Sequence, residues 1–188
     1  MMNFLTFAVL PVYTVLLSSG YCPFSFNFSV IGYSLGRRDA FLLWGLLVGI
    51  CYGRTLEVIG DSLKRLRLLS PRTCTLFKAF IPFNLFLLFC AVTTPYLPEV
   101  FPLKAFLHIA FAAAAAILLL MVLSVLTWQL SRSDRSYRPF FYSCIGISII
   151  SALLFILAGI VSSLLEIWFT LSTVWMADLL KKKLAALP

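Results

Sequence analysis

The chain has 188 residues, of which 62% are hydrophobic and 12% charged, and its formal net charge is +8. A soluble domain averages about 45–50% apolar and about 25% charged residues, so this composition excludes a water-soluble protein. The basic residues lie between long apolar segments and do not form the single stripe that binds nucleic acid. We therefore expect an all-α integral membrane protein. Its expected partners are membrane lipids, with other membrane protein subunits as a second option, and not nucleic acid.

The first predicted element is an apolar stretch at 4–19. No basic segment precedes it, so we interpret it as a retained transmembrane helix and not as a signal peptide. The stretch 140–180 is too long for one span, and Gly159 marks the turn inside it. Because a bilayer core needs about 20 apolar residues per helix, the chain 1–188 is predicted to be one transmembrane domain of six spans, with five as the alternative count. The approximate spans are 4–19, 40–59, 76–96, 104–130, 139–158 and 161–180.

The distribution of Lys and Arg predicts the orientation of these spans. Twelve of the fifteen basic residues fall in or near the 2–3 connection, the 4–5 connection and the C-terminal tail. The other side has only Arg37, Arg38 and Lys104. Cytoplasmic loops carry an excess of positive charge, so both termini are predicted to be cytoplasmic. The membrane we favour is a bacterial plasma membrane. Asp178, beside Lys181 and Lys182, is expected on a solvated face.

Small residues predict where helices pack closely. Span 2 contains "GLLVGICYG", a doubled G-x-x-x-G formed by Gly45, Gly49 and Gly53. Span 4 offers Ala112 and Ala116 on one stripe. Such residues let helix backbones approach within a membrane, and we expect contacts inside the bundle more than a dimer interface.

Two ionisable residues stand inside apolar spans, and both are predicted at similar depth beneath the outer face. His108 opens span 4, and Glu166 opens span 6. Such residues are costly in a membrane and usually face a cavity or a partner. We therefore predict an outward-facing ligand pocket, roofed by the 20–39 loop, whose candidate binding residues are His108, Glu166, Thr170, Ser162, Arg37 and Arg38. A plain helix–helix hydrogen bond, or a Glu166 that reaches up to the interface, explains the same residues and stays open.

The same sequence excludes several enzyme classes. A single histidine rules out the H-E-x-x-H zinc site, and no P-loop, G-x-S-x-G or G-x-G-x-x-G is present. The five cysteines show no C-x-x-C spacing. We assign no metal, no cofactor and no catalytic residue.

Three short stretches carry a family resemblance: "CPFSFNFSVIG" before span 2, "FLHIAFAAA" at the start of span 4 and "LLEIWF" at the start of span 6. The layout resembles the six-span Frag1/DRAM/Sfk1 proteins and the related DUF998 group. The matching positions are His108, Glu166 and Trp168, with Ser29 and Gly32 matching loosely. The fuller loop pattern, with Ile-Ser-Asp and paired prolines, is absent. The resemblance implies a small polytopic protein linked to membrane lipids or trafficking, without an established catalytic activity.

The function we predict is a lipid or small-amphiphile site near His108 and Glu166. One alternative is a substrate-binding subunit of a vitamin-like transporter, which would need an ATPase partner. Another is an intramembrane enzyme acting on lipids, with His108 as base and Glu166 orienting it. A scaffold without any ligand is the last alternative.

Overall fold

The computed structural model describes residues 2–187, and 83% of the chain is helical. No strand occurs within this range. Helix α1 consists of Met2–Phe4, a π-helical turn Leu5–Val9, and Leu10–Ser18. A second π-helical turn, Val30–Ser34, precedes α2. The other helices are α2 (Arg38–Arg65), α3 (Pro71–Thr93), α4 (Pro102–Ser133), α5 (Arg138–Ala158, after a 3₁₀ turn Arg135–Tyr137) and α6 (Ser163–Ala185).

Local sequence signals set several helix ends. Ser70 caps α3 by accepting a hydrogen bond from the Thr73 backbone N–H at 3.2 Å, and Ser162 caps α6 by accepting one from Leu165 at 3.4 Å. Gly159 follows α5 with φ of +69°, a left-handed conformation that glycine adopts without steric cost. The turn expected at Gly159 is therefore present, and it separates α5 from α6.

The five long helices form a closed ring in chain order, with α6 returning to pack against α2. Helix α1 lies outside the ring, against α2 and α6. Its Thr14 hydroxyl accepts a hydrogen bond from the Trp44 indole N–H at 3.1 Å, and Thr6 lies 3.9 Å from the Cys51 sulfur. Polar side chains of α1 thus pair with α2 along its length.

Five helices, α2 to α6, are long and apolar enough to cross a membrane, and they make the chain an integral membrane protein. The apolar part of α1, Leu5–Ser18, is shorter. The predicted spans match the long helices in order, but α2 continues to Arg65, beyond the predicted limit at 59. This extension is polar except for the buried Leu63, and Asp61 accepts a hydrogen bond from Lys78 of α3 at 2.5 Å.

The two ends of the bundle differ. We call the end with connections 66–70 and 134–137 the basic end, and the end with connections 94–101 and 159–162 the capped end. The capped end also carries residues 19–37, which we call the cap loop. Large apolar side chains fill the ring near the basic end; fully buried examples are Leu56, Ile59, Leu63, Leu123, Leu130, Leu180 and Leu184.

One expectation about the basic end is wrong. Asp178 is completely buried, although we expected it on a solvated face. Its carboxylate bonds to Lys181, and to Lys182 at 2.9 Å, both on the same helix. The long lysine side chains reach back over the preceding turn and supply the positive charge that a buried carboxylate requires.

Candidate functional site

The cap loop is fastened to the bundle by backbone hydrogen bonds. The Ser163 N–H donates to the Phe26 carbonyl at 2.6 Å, and the Leu164 N–H donates to the Pro23 carbonyl at 3.0 Å. These are N–H groups of the first turn of α6, which have no acceptor within their own helix. The cap loop thereby satisfies the start of α6 and closes this end of the ring.

Aromatic side chains fasten the second half of the cap loop. Phe28 is fully buried, and its ring meets the Trp44 ring edge-on with 4.9 Å between centroids. The Tyr33 hydroxyl donates to the Val92 carbonyl at 2.6 Å, at the end of α3. The cap loop therefore contacts α2, α3 and α6, and it is an ordered roof.

His108 connects this roof to two other elements. Its Nδ1 lies 3.0 Å from the Thr94 carbonyl, and its Nε2 lies 2.6 Å from the Ser29 hydroxyl. A carbonyl can only accept, so Nδ1 carries the proton and donates to it. In a neutral imidazole Nε2 is then the acceptor, and the Ser29 hydroxyl donates to it.

Glu166 bonds to Phe28, the residue that precedes Ser29 in the cap loop. Its Oε2 accepts a hydrogen bond from the Phe28 backbone N–H at 2.6 Å. Consecutive residues, Phe28 and Ser29, are thus bonded to Glu166 and His108 respectively. No ion pair joins His108 and Glu166 among the described residues, and each bonds to the cap loop instead.

A cavity of about 550 Å³ lies beneath the cap loop, inside the ring. Its polar end is formed by Asn27, Ser29, His108 and Glu166, and its walls are mostly apolar. The wall residues include Val48, Leu88, Ala112, Ala116, Leu119 and Phe169. A largely apolar cavity with a few convergent polar groups is typical of a small-molecule site, and its volume lies in the usual range of roughly 300–1,000 Å³.

The cavity contains buried polar atoms without protein partners. The Asn84 Oδ1 and the Ser151 hydroxyl are both buried and make no hydrogen bond within the described residues. Both residues line the cavity. Buried polar groups are nearly always hydrogen-bonded, so each of these two atoms can accept a further hydrogen bond from inside the cavity. Deeper in, Tyr52 and Thr173 bond to each other and close the floor.

One side of the cavity reaches the outer surface of the bundle between α4 and α5. Among its lining residues, Ile109, Ile117 and Phe155 are 50%, 65% and 48% exposed. Helix α5 buries only Cys144 and Ile147, both in its half nearer the basic end. The two helices therefore separate toward the capped end, and we call this opening the α4–α5 gap.

The other predicted binding residues are distributed unevenly. Thr170 lines the cavity with His108 and Glu166. Ser162 is buried as the cap of α6 and is not a lining residue. Arg37 donates to the Leu17 and Ser19 carbonyls, both at 3.2 Å, and so satisfies the end of α1. Arg38 is exposed and outside the lining.

The predicted packing residues also separate into two groups. Gly45, Gly49 and Gly53 face α3, where a Cβ atom would lie 2.7 Å from Val92, 3.9 Å from Leu88 and 3.2 Å from Leu85 respectively. Ala112 and Ala116 instead border the cavity. Their short side chains leave space, where longer ones would fill it.

Sequence reasoning did not place Ser29, Asn27 or Asn84 in the site. Asn84 gave a usable signal, because an amide inside an apolar span must find a partner or a cavity. Ser29 and Asn27 gave none, since a polar loop residue is unremarkable until the fold brings it to a helix 79 residues away.

No family model, curated protein or solved structure matches this chain. The resemblance to the Frag1/DRAM/Sfk1 and DUF998 proteins therefore stays a prediction. What can be argued about function comes from the geometry of the site.

Proposed function

We propose that this protein binds a lipid or small amphiphile in the capped cavity. The observation that carries the proposal is the division of the cavity, with polar groups of Ser29, His108 and Glu166 together at one end and mostly apolar walls elsewhere. Such a space suits a molecule with a polar head and an apolar tail. The unpartnered Asn84 and Ser151 atoms supply further contacts inside.

We further propose six spans with both termini in the cytoplasm, so that the cap loop faces outward. Helix α1 begins beside the basic end, where Lys182 lies 4.2 Å from the Phe7 ring, and it ends at the cap loop. It therefore runs between the same two ends as the long helices. Most basic residues lie toward the basic end, which favours that end as cytoplasmic.

Native mass spectrometry tests the binding proposal. The wild type, purified in mild detergent, is expected to retain a defined species that Glu166→Gln retains less. The glutamine keeps an acceptor oxygen for the Phe28 N–H, so the change removes the carboxyl group and spares the roof. Glu99→Gln, at an exposed acid near the same end, is the control and should behave as the wild type.

The mass of the retained species identifies its class. A lipid or fatty amphiphile supports the proposal, whereas a vitamin-like metabolite favours the transport-subunit alternative. Spectra with no bound species in either protein would leave only a scaffold role. Equal retention by both proteins would place the ligand away from Glu166.

A further inference from the structure

The Ser29–His108 pair has the geometry of an activated nucleophile. The hydroxyl and Nε2 are 2.6 Å apart, within the range over which a base takes a proton from serine. The Thr94 carbonyl, 3.0 Å from Nδ1, holds the ring in the tautomer that leaves Nε2 as the acceptor. The Ser29 hydroxyl, the His108 imidazole and the Thr94 carbonyl are therefore connected by hydrogen bonds as nucleophile, base and the group that orients the base.

Binding an apolar tail does not require a buried serine hydrogen-bonded to a histidine. Ser29 and His108 are each only 5% exposed, and both border the cavity. A molecule held there would have its polar head beside the serine hydroxyl.

The lining of the cavity also contains a side-chain amide, that of Asn27. Its Oδ1 accepts the Val30 N–H at 2.7 Å, which fixes the amide and leaves its NH₂ group free of protein acceptors in the described chain. Asn27 lines the same cavity, two residues before Ser29. Side-chain amides of this kind stabilise the negative charge that develops on a carbonyl oxygen during acyl transfer.

We propose that Ser29 is the nucleophile, and His108 the general base, of an acyl-transfer reaction on a carboxylic ester that carries an apolar acyl chain. The idea rests on the proposed function, because the cavity holds the acyl chain. Ser29 Oγ attacks the ester carbon while its proton moves to His108 Nε2. Asn27 donates to the resulting oxyanion.

The intermediate then collapses with cleavage of the bond to the alcohol. His108 returns the proton to the departing alkoxide, which leaves as the alcohol, and the acyl group stays on Ser29 as an ester. Water, activated by His108 in the same way, hydrolyses that ester to the free acid and restores the serine. If an alcohol replaces water, the products are a new ester and the free serine.

A long-chain alkyl fluorophosphonate tests this proposal on the full-length protein in detergent. The probe is expected to form a covalent adduct that peptide mass spectrometry maps to Ser29. Ser29→Ala should abolish labelling, and His108→Gln should slow it by about 100-fold or more, the usual contribution of a general base. Ser19→Ala, at an exposed serine of the same loop, is the control and should label as the wild type.

Adduct mapping on the wild type does not depend on whether a variant folds. A second measurement is the release of p-nitrophenol from a long-chain p-nitrophenyl ester, which should disappear in Ser29→Ala. A protein that retains an amphiphile in native mass spectra but gains no adduct at Ser29 would overturn the nucleophile and leave the binding function intact. A protein that neither retains an amphiphile nor reacts would overturn both.

Discussion

Glu166 and His108 each hold one of two consecutive residues of the cap loop. Both are ionisable side chains in apolar surroundings, and such groups need hydrogen-bond partners to offset their loss of hydration. The Phe28 N–H and the Ser29 hydroxyl supply these partners. The same bonds hold the cap loop over the cavity. The atoms that make the cavity polar at this end are therefore also the atoms that position the roof.

Two replacements of Glu166 should measure what its hydrogen bond to the Phe28 N–H contributes. Glu166→Gln keeps an acceptor for the Phe28 N–H, whereas Glu166→Leu leaves that buried donor without a partner. An unsatisfied buried donor costs about 1–3 kcal/mol. We expect Glu166→Leu to unfold in detergent at a clearly lower temperature than Glu166→Gln. Equal melting temperatures for the two variants would show that the Phe28 bond does not stabilise the roof.

The sequence predicted the site residues that are ionisable within an apolar segment. It missed the site residues that are polar within a polar loop, where such residues are ordinary. His108 and Glu166 stand out inside apolar runs. Asp178 stood out less, because two lysines follow it closely, and its burial was not anticipated. Ser29 acquires its role only through a contact between distant parts of the chain, which no local pattern encodes.

The glycine stripe of α2 allows a matched comparison within one helix. A Cβ at Gly45 would lie 2.7 Å from both methyl groups of Val92, a β-branched side chain with little rotamer freedom in a helix. A Cβ at Gly49 would make an ordinary contact of 3.9 Å with Leu88. Gly45→Ala should therefore destabilise the protein by about 1–3 kcal/mol, the usual cost of overpacking.

Gly49→Ala should be neutral or slightly stabilising, since alanine favours helix more than glycine by about 0.5–1 kcal/mol. Thermal unfolding in one detergent measures both variants. Val92→Ala should restore much of the stability lost in Gly45→Ala. Equal losses at the two glycines would contradict the close approach of α2 and α3 at Gly45.

Gly32 sets how closely the cap loop approaches α2. A Cβ there would lie 2.8 Å from the Phe41 Cβ, an atom that no rotamer change can move. Gly32→Ala should displace the loop, lower the melting temperature by a few degrees and reduce the species retained in native mass spectra. Gly146→Ala, where a Cβ meets nothing within 4 Å, is the control. Full retention in Gly32→Ala would mean that the roof moves without affecting the site.

Hydropathy located the long helices well and their ends less well. Apolar residues define where a helix must be buried in lipid, but the continuation of α2 to Arg65 is mostly polar and is held against the bundle by the fully buried Leu63. Ala112 and Ala116 show a second limit. Small residues at helical spacing predict either close packing or open space, and only the position of the neighbouring helix decides between them.

The orientation proposed for the whole bundle can be measured with a native cysteine. Cys22 is exposed on the cap loop, and hydrogen bonds from the Ser25 hydroxyl and the Phe24 backbone lower the pKa of its thiol. A lower pKa gives more thiolate at neutral pH, so a membrane-impermeant maleimide should label it rapidly in intact cells. Its labelling rate should reach half-maximum at a lower pH than that of a free cysteine.

The control moves the cysteine to the other end of the bundle. Cys22→Ser should lose the labelling, and Cys22→Ser combined with Arg135→Cys, at an exposed position of the basic end, should label only after permeabilisation. If intact cells label the second variant but not the wild type, the orientation of the chain is opposite to the one proposed. If intact cells label both proteins, the cap loop and position 135 lie on the same side of the membrane.

The α4–α5 gap has a consequence for how a ligand would arrive. An amphiphile already dissolved in one leaflet could slide sideways into the cavity and keep its tail in hydrocarbon throughout, while the roof stays closed. The occupancy of the cavity would then follow the mole fraction of that amphiphile among the surrounding lipids, and not its concentration in water. Dilution of the bilayer with inert lipid, at constant protein and constant buffer, would empty the protein.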